Sequence, residues 1–229
     1  MSGSRTAEPS SRGRIDKRRA ILSAAFTVFA RRGYARACVA EIAEVAGVAK
    51  HTVYNHLGDK ESLFRSAMET AADEVAARNL AVVEVLAVGT DTPPRTGPPA
   101  DDLSAPLEDL AYRLLLRCGD DRSTALRRLF HAEIARFPEL LDIVRGPRAN
   151  RVTEVLADRL ARLALSGRLR HCDPDEAAEQ FLALLTGPFE NRSRYGTRAV
   201  PDTEVHGLAR SAVRTFLAAY GVSAPPGAG

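Results

Sequence analysis

The chain has 229 residues, of which 45% are hydrophobic and 27% are charged. These ordinary proportions indicate a globular protein with one large domain or two smaller ones. No stretch approaches the roughly 18 consecutive apolar residues of a membrane-spanning helix. No apolar segment follows the basic residues of the N-terminus, so a signal peptide is not predicted and a cytoplasmic protein is expected.

The three cysteines are odd in number and far apart, at Cys38, Cys118 and Cys172. This spacing argues against a disulfide framework and is typical of a reducing compartment. The sequence His171-Cys172-Asp173 lacks further ligands at a suitable spacing, and a plain loop is favoured over a metal site. Neither a metal nor a cofactor is predicted.

The net charge of +3 is distributed unevenly along the chain. Residues 1–60 contain 11 Lys or Arg and 5 Asp or Glu, a net of +6, so the remainder has a net of −3. A basic first quarter indicates contact with an anion such as DNA. A solvated, flexible basic tail is the alternative that charge alone leaves open.

Helical periodicity dominates and strand signals are nearly absent, so an all-α fold is predicted. Residues 1–14 are expected to form a disordered arm. The first helices are predicted at 15–32, 39–45, 49–57 and from 59 to about 88, the first of them ending at Gly33. Residues 89–106 are rich in Pro, Gly, Thr and Asp, which predicts a flexible loop.

Five further helical segments follow this loop. They are predicted at about 107–118, at 123–136, across an interruption at Gly146-Pro147, from an Asp173 cap to a break near Gly187-Pro188, and at 202–220. The tail 222–229 is expected to be disordered. Residues 15–60 are thus predicted to be a three-helix domain, and residues 61–221 a second helical domain.

The most informative stretch is GYARACVAEIAEVAGVAKHTVYNHLGDKESLF, residues 33–64. Gly47 permits a tight turn between two short helices, and Val53 and Leu57 face inward from the second. This pattern predicts a helix-turn-helix, whose second helix enters the DNA major groove. The polar outer residues of that helix are Lys50, His51, Thr52, Tyr54, Asn55 and His56.

These side chains suit DNA chemically. Lys50 can reach guanine edges or phosphate, Asn55 can pair with adenine, and Thr52 can contact a thymine methyl group. Tyr54 and His56 are expected to bond to phosphates. Lys60 combines a cation with a helix N-terminus, an arrangement that favours phosphate.

The segment resembles the DNA-binding domain of the TetR family. The matching positions are Gly33, Tyr34, Val39, Ile42, Ala43, Ala46, Gly47, Val48, Tyr54, Lys60 and Leu63, in register and with nothing inserted. The resemblance implies a homodimer with a three-helix DNA head and a helical ligand-binding body. It also implies that Tyr54 and Lys60 contact DNA phosphates.

The sequence departs from the family pattern where hydroxyl residues are usual. Ala37 and Cys38 replace two of them ahead of the second helix, and Ala49 replaces the serine cap of the third, a loss of about 1 kcal/mol per cap. Glu41 is expected to supply the carboxylate of a capping box. Ala37, Cys38 and Val39 complete the predicted DNA-binding set, and Cys38 is a candidate for oxidation.

Residues 126–141 resemble a segment of one TetR subgroup whose effector domain is variable. The candidates for an effector pocket are Phe130, His131, Glu133, Phe137, Phe181 and Asn191. Core packing is the alternative for the aromatic residues, and a buried partner such as an arginine is the alternative for Glu133. The resemblance and the broad apolar face of the last helix predict a dimer interface containing Phe181, Leu185, Leu208, Ala212 and Phe216.

The leading hypothesis is therefore a transcriptional repressor that a small-molecule effector releases from a pseudo-palindromic operator. An activator or architectural DNA-binding protein without an effector is the alternative. An enzyme is disfavoured because no GxSxG, phosphate-cradling glycine loop, HExxH or metal cluster occurs. The pairs Asp101-Asp102 and Asp120-Asp121 lie beside helix starts, which is typical of caps.

Overall fold

The computed structural model describes residues 11–86 and 103–222, and across these residues it is all-α, as predicted. It has no strand there, only an isolated bridge between Leu169 and Gly221. The helices are α1 (Ser11–Arg36), α2 (Val39–Val45), α3 (Lys50–Leu57), α4 (Lys60–Glu84), α5 (Ser104–Gly119), α6 (Asp121–Glu133), α7 (Leu140–Arg145), α8 (Pro147–Leu165), α9 (Pro174–Arg192) and α10 (Asp202–Tyr220).

Helices α2 and α10 have the predicted bounds, whereas α1, α5 and α6 begin earlier than predicted, and α6 ends at Glu133 rather than at 136. Helix α1 begins at Ser11, inside the predicted arm, and α5 begins at Ser104, inside the predicted loop. Pro106 does not prevent the earlier start of α5, because proline is tolerated in a first helical turn. The rest of the predicted arm, loop and tail, residues 1–10, 87–102 and 223–229, lies outside the described residues.

The helical conformation of α1 is interrupted at Gly33, as the sequence predicts. Gly33 has φ 74° and ψ 165°, a left-handed backbone that residues with a Cβ rarely adopt. A single helical turn follows, in which the N–H of Ala37 donates to the Gly33 carbonyl at 3.2 Å. The kink redirects the chain before α2 begins.

Helix α9 confirms the predicted cap but not the predicted break. The Asp173 carboxylate accepts hydrogen bonds from the N–H groups of Asp175 and Glu176, at 2.9 and 3.3 Å. The helix then continues through Pro188 to Arg192. Phe189 is 2% exposed, and its burial helps to offset the roughly 3 kcal/mol cost of an internal proline.

The chain divides into two compact units. The first contains the described residues up to Ala72 together with Leu129–Val144, a segment that the predicted domain boundaries assign to the helical body. In this unit α1 packs on α2 and α2 on α3. Helices α4 and α6 each contain residues of both units.

The second unit contains Asp73–Arg128 and the described residues from Arg145 onward. Helix α10 packs against α5 and α9, and α8 packs against α9. At the centre of this core the rings of Phe181 and Phe216 meet edge to face, with centroids 5.1 Å apart. Such pairs contribute beyond the area that they bury.

The predicted dimer interface is wrong in its residues, because all five lie in the chain's own core. Their exposed fractions are between 0% and 4% for Phe181, Leu185, Leu208, Ala212 and Phe216. The apolar face of α10 is broader than one neighbour covers, but α5 and α9 of the same chain cover it together. These side chains stabilise the monomer fold and do not face a partner.

This correction predicts the behaviour of Phe216→Ala. Removing a fully buried phenyl ring is expected to lower the free energy of unfolding by about 3–5 kcal/mol, through lost burial and a cavity. Urea unfolding followed by circular dichroism measures this, with the exposed neighbour Thr215→Ala as the control. A variant of unchanged stability that only loses self-association would show that Phe216 faces a partner after all.

Candidate nucleic-acid interface

Helices α2 and α3 are joined by a tight turn at Gly47. Gly47 has φ 65°, and the N–H of Val48 donates to the Ala43 carbonyl at 3.0 Å. Ile42 and Val53 are 0% and 1% exposed and anchor the two helices in the core of the first unit. The turn therefore sets α3 as a second helix with one buried face and one free face.

The outer face of α3 consists of the polar residues that the sequence predicted. Lys50, His51, Tyr54 and Asn55 are exposed, and Thr52 and His56 are half-buried. The Lys50 ammonium lies 5.9 Å from the centroid of the Tyr54 ring. Val53 and Leu57 face inward, as predicted. The exposed face thus carries hydrogen-bonding groups and a cation.

Ahead of α2, the structure corrects two of the three predicted DNA contacts. Ala37 and Val39 are 5% and 6% exposed, because both pack into the core, so their side chains are not available to DNA. Cys38 between them is exposed. It is the N-cap of α2 and makes no side-chain capping hydrogen bond.

Glu41 does not form the predicted capping box in the described structure. Its carboxylate instead forms ion pairs with Arg31 and Arg32, near the end of α1.

The backbone amides of Ala40 and Glu41 lower the pKa of the exposed Cys38 thiol. In contrast, desolvation by burial raises the pKa of the Cys118 and Cys172 thiols.

Lys60, the first residue of α4, is held by the end of α1. Its ammonium donates to the Ala35 carbonyl at 3.2 Å and lies 4.7 Å from the centroid of the Tyr34 ring. The Asp59 carboxylate accepts the N–H of Ser62 at 2.7 Å, which lowers the pKa of Asp59. One amide at this helix start is thus already bonded, and a phosphate here would meet mainly the Lys60 charge.

An aromatic cluster supports this arrangement from within the first unit. The Tyr34 ring contacts both Phe64 and Phe137, at centroid distances of 5.0 and 4.8 Å, and Phe29 contacts Phe64 at 4.9 Å. The pKa of Tyr34 is raised by desolvation. We refer to Phe29, Tyr34, Phe64 and Phe137 as the aromatic cluster.

Two predicted pocket residues, Glu133 and Phe137, therefore belong to the DNA-binding unit. A Glu133 carboxylate oxygen accepts the backbone N–H of Tyr34 at 3.2 Å. The Arg136 guanidinium, which the sequence reasoning missed, lies 4.7 Å from the Tyr34 ring centroid. Glu139, also missed, pairs with Arg65. These pairs join positions far apart in sequence, and no local pattern indicates them.

The remaining predicted pocket residues are not gathered at one place. Phe130 is 8% exposed and contacts the exposed His131 in the first unit. Phe181 belongs to the core of the second unit, where Asn191 is exposed on α9. The six residues thus fall in two units, and the prediction that they line one pocket is not supported by their positions.

The second unit contains a cleft between α5 and α10, with a volume of about 410 Å³. Tyr112 stacks on His206 with ring centroids 3.9 Å apart, and its hydroxyl donates to the Asp202 carboxylate at 2.7 Å. The cleft is lined by Glu108, Asp109, Tyr112, His206, Ala209 and Arg210. This wall is polar and was not predicted from the sequence.

A glycine turn that joins two short helices, the second with a polar outer face, defines a helix-turn-helix DNA-binding protein. Residues 21–67 match the family model described as bacterial regulatory proteins, tetR family. Residues 105–222 match the model of the AefR-like transcriptional repressor, C-terminal domain. The chain belongs to the TetR family of transcriptional regulators.

Full-length relatives agree with this assignment. The chain is 30% identical to the HTH-type transcriptional repressor AcnR of Corynebacterium efficiens over 203 residues, 87% of this chain and 94% of AcnR. A TetR-family structure from Mesorhizobium loti has a TM-score of 0.78 and 29% identity, over 94% of this chain and 100% of that one. A TetR-family structure from Pseudomonas syringae pv. tomato has a TM-score of 0.62 and 26% identity, and the match covers 91% of this chain and 98% of that one.

No helix among the described residues is long and apolar enough to cross a membrane. Within residues 11–86 and 103–222, no group of three or more His, Cys, Asp or Glu side chains is placed to hold a metal ion.

The pKa directions predict which thiol reacts first. A lowered pKa leaves more thiolate at a given pH, so Cys38 is expected to be alkylated by iodoacetamide before Cys118 and Cys172 at pH 7.5. Peptide mass spectrometry after timed quenching measures the order, with Cys38→Ser as the control that removes the fast phase. Faster labelling of Cys118 would contradict the assignment of environments.

Proposed function

We propose that this protein is a homodimeric repressor that binds a pseudo-palindromic DNA operator and dissociates when a small-molecule effector binds its second unit. The exposed polar face of α3 carries the proposal. It presents Lys50, His51, Tyr54 and Asn55 on a helix whose opposite face is fixed in a core. A rigid helix with such a face suits the major groove.

The proposed roles of these residues follow from their chemistry and exposure. Lys50 and Asn55 reach base edges, where a cation recognises guanine and an amide recognises adenine. Thr52 contacts a thymine methyl group. Tyr54, His56 and Lys60 bond to backbone phosphates, which fixes the register of α3 along the groove.

Repression is supported by the descriptions of similar proteins. AcnR is described as a repressor, and the family model over residues 105–222 describes a repressor domain. A protein bound over a promoter represses by excluding the transcription machinery. Such a function requires the compartment that holds the DNA, which in a bacterium is the cytoplasm.

Dimerisation is proposed because one short helix reads too few base pairs for a selective site. Two copies related by a two-fold axis place two α3 helices in successive major grooves, roughly 34–36 Å apart. Since the apolar faces of α9 and α10 are used inside the chain, the proposed interface is their outer surface. Small residues there, among them Ala183, Gly207 and Ser211, allow a close approach.

Effector control is proposed to act through α6. This helix begins in the second unit and ends at Glu133, whose carboxylate holds the Tyr34 backbone. An effector that binds only the conformation in which α6 is displaced would move Glu133 and Phe137 relative to Tyr34 and Phe64. It would thereby lower the population of molecules whose α3 is positioned to bind DNA. A regulator without an effector would use the same DNA head.

The proposal is tested on DNA recovered by selection from a random-sequence duplex library, since the operator is not known. Fluorescence anisotropy across a salt series then compares the wild type with Lys60→Ala and Tyr54→Phe. We expect sequence-selective binding in the wild type. Each variant is expected to weaken binding about equally on all sequences, and Lys60→Ala to reduce the salt slope by about 0.9 per protomer.

The matched controls are Arg162→Ala and Tyr195→Phe, which alter an exposed arginine and an exposed tyrosine of the second unit. Neither is expected to change affinity or salt slope by more than a small fraction. Circular dichroism melting confirms that each variant is folded. If selection enriches no sequence and the wild type binds all duplexes equally, the proposed function is wrong.

A further inference from the structure

A cleft of about 540 Å³ lies beside the recognition helix, between α1 and α3. Its α1 wall is formed by Arg14, Ile15 and Arg18, and its α3 wall by Asn55 and His56. Arg14 and Arg18 are four residues apart and therefore lie on the same face of α1. The cleft continues the polar face of α3 onto a second helix.

Arg14 and Arg18 differ from many arginines of this chain, because the described part of the structure gives them no ion-pair partner. Among the described residues no ion pair involves Arg14 or Arg18, whereas Arg31, Arg65 and Arg122 each pair with a glutamate. Asp16 is the only acidic residue among positions 11–20, which also contain Lys17 and Arg19. Uncompensated cations concentrated at one place attract an anion.

The position of the cleft identifies the kind of anion. Asn55 and His56 belong to the last turn of α3, where the helix dipole itself adds no attraction for phosphate and only side chains can supply it. A DNA backbone strand that follows α3 past this end needs cations from elsewhere. Arg14 and Arg18 supply them, and a guanidinium can donate two parallel hydrogen bonds to one phosphate.

We propose that the cleft between α1 and α3 binds the DNA backbone beside the base pairs that α3 reads, with Arg14 and Arg18 donating to phosphate oxygens. Ile15 is 65% exposed beside the two arginines and contacts the adjacent sugars. This inference rests on the proposed function and extends it, because it makes the first turns of α1 part of the DNA interface.

The test compares Arg14→Gln/Arg18→Gln with Arg117→Gln/Arg162→Gln, a pair with the same change in net charge at exposed sites of the second unit. The duplex is the best binder from the random library. Loss of two phosphate contacts is expected to reduce the salt slope by about two per protomer and the affinity for this duplex at least tenfold. The control pair is expected to bind like the wild type.

A charge-preserving variant, Arg14→Lys/Arg18→Lys, is expected to recover most of the salt slope but less of the affinity, because lysine cannot form a bidentate contact. A duplex whose flanking phosphates are replaced one at a time by neutral methylphosphonates locates the contact. It is expected to weaken the wild type at specific positions and to leave the glutamine pair unaffected there. Such non-additivity identifies a direct contact.

Two results would overturn the proposal. One is that the glutamine pair binds DNA and responds to salt like the control pair. The other is that the methylphosphonates weaken binding by the wild type and by the glutamine pair equally. If the wild type selects an operator but either of these results is observed, the proposed function stands and the assignment of the cleft is wrong. If the wild type binds no duplex at all, both are wrong.

Discussion

The DNA head depends on the packing of one ring, that of Tyr34. Phe64 brings the first turns of α4 against it, and Phe137 brings in the chain that follows α6. The Tyr34 backbone N–H is held by the Glu133 carboxylate, and its ring lies under the Lys60 ammonium. The packing of Tyr34 therefore fixes both Lys60 and the kink at Gly33 within α1.

This constraint explains why the sequence predicts some parts of the site and not others. The sequence correctly predicts Val53 and Leu57 on the inner face of α3, because four-residue spacing is a local property that any helix obeys. The sequence predicts Glu133 and Phe137 in an effector pocket, whereas in the structure both contact Tyr34 in the first unit. Glu133 is 99 residues from Tyr34, and no periodicity reports which distant residues meet.

The same limit applies to α9 and α10. Their amphipathic faces show that something covers them, but not whether the cover is another chain or the same one. Phe216 is covered by its own chain, in a core shared with Phe181. Pro188 predicts the end of α9 on backbone grounds, yet the helix continues through it, and burial of Phe189 in the next position helps to offset that local preference. Tertiary packing decides in both cases.

The central claim is that two copies of this chain read one DNA site through α3. Hydroxyl-radical footprinting on the duplex recovered by selection tests it most directly. The account predicts two protected backbone stretches related by a two-fold axis, with centres about 10 base pairs or a multiple of one helical turn apart. A single protected stretch, or protection that is independent of sequence, would contradict it.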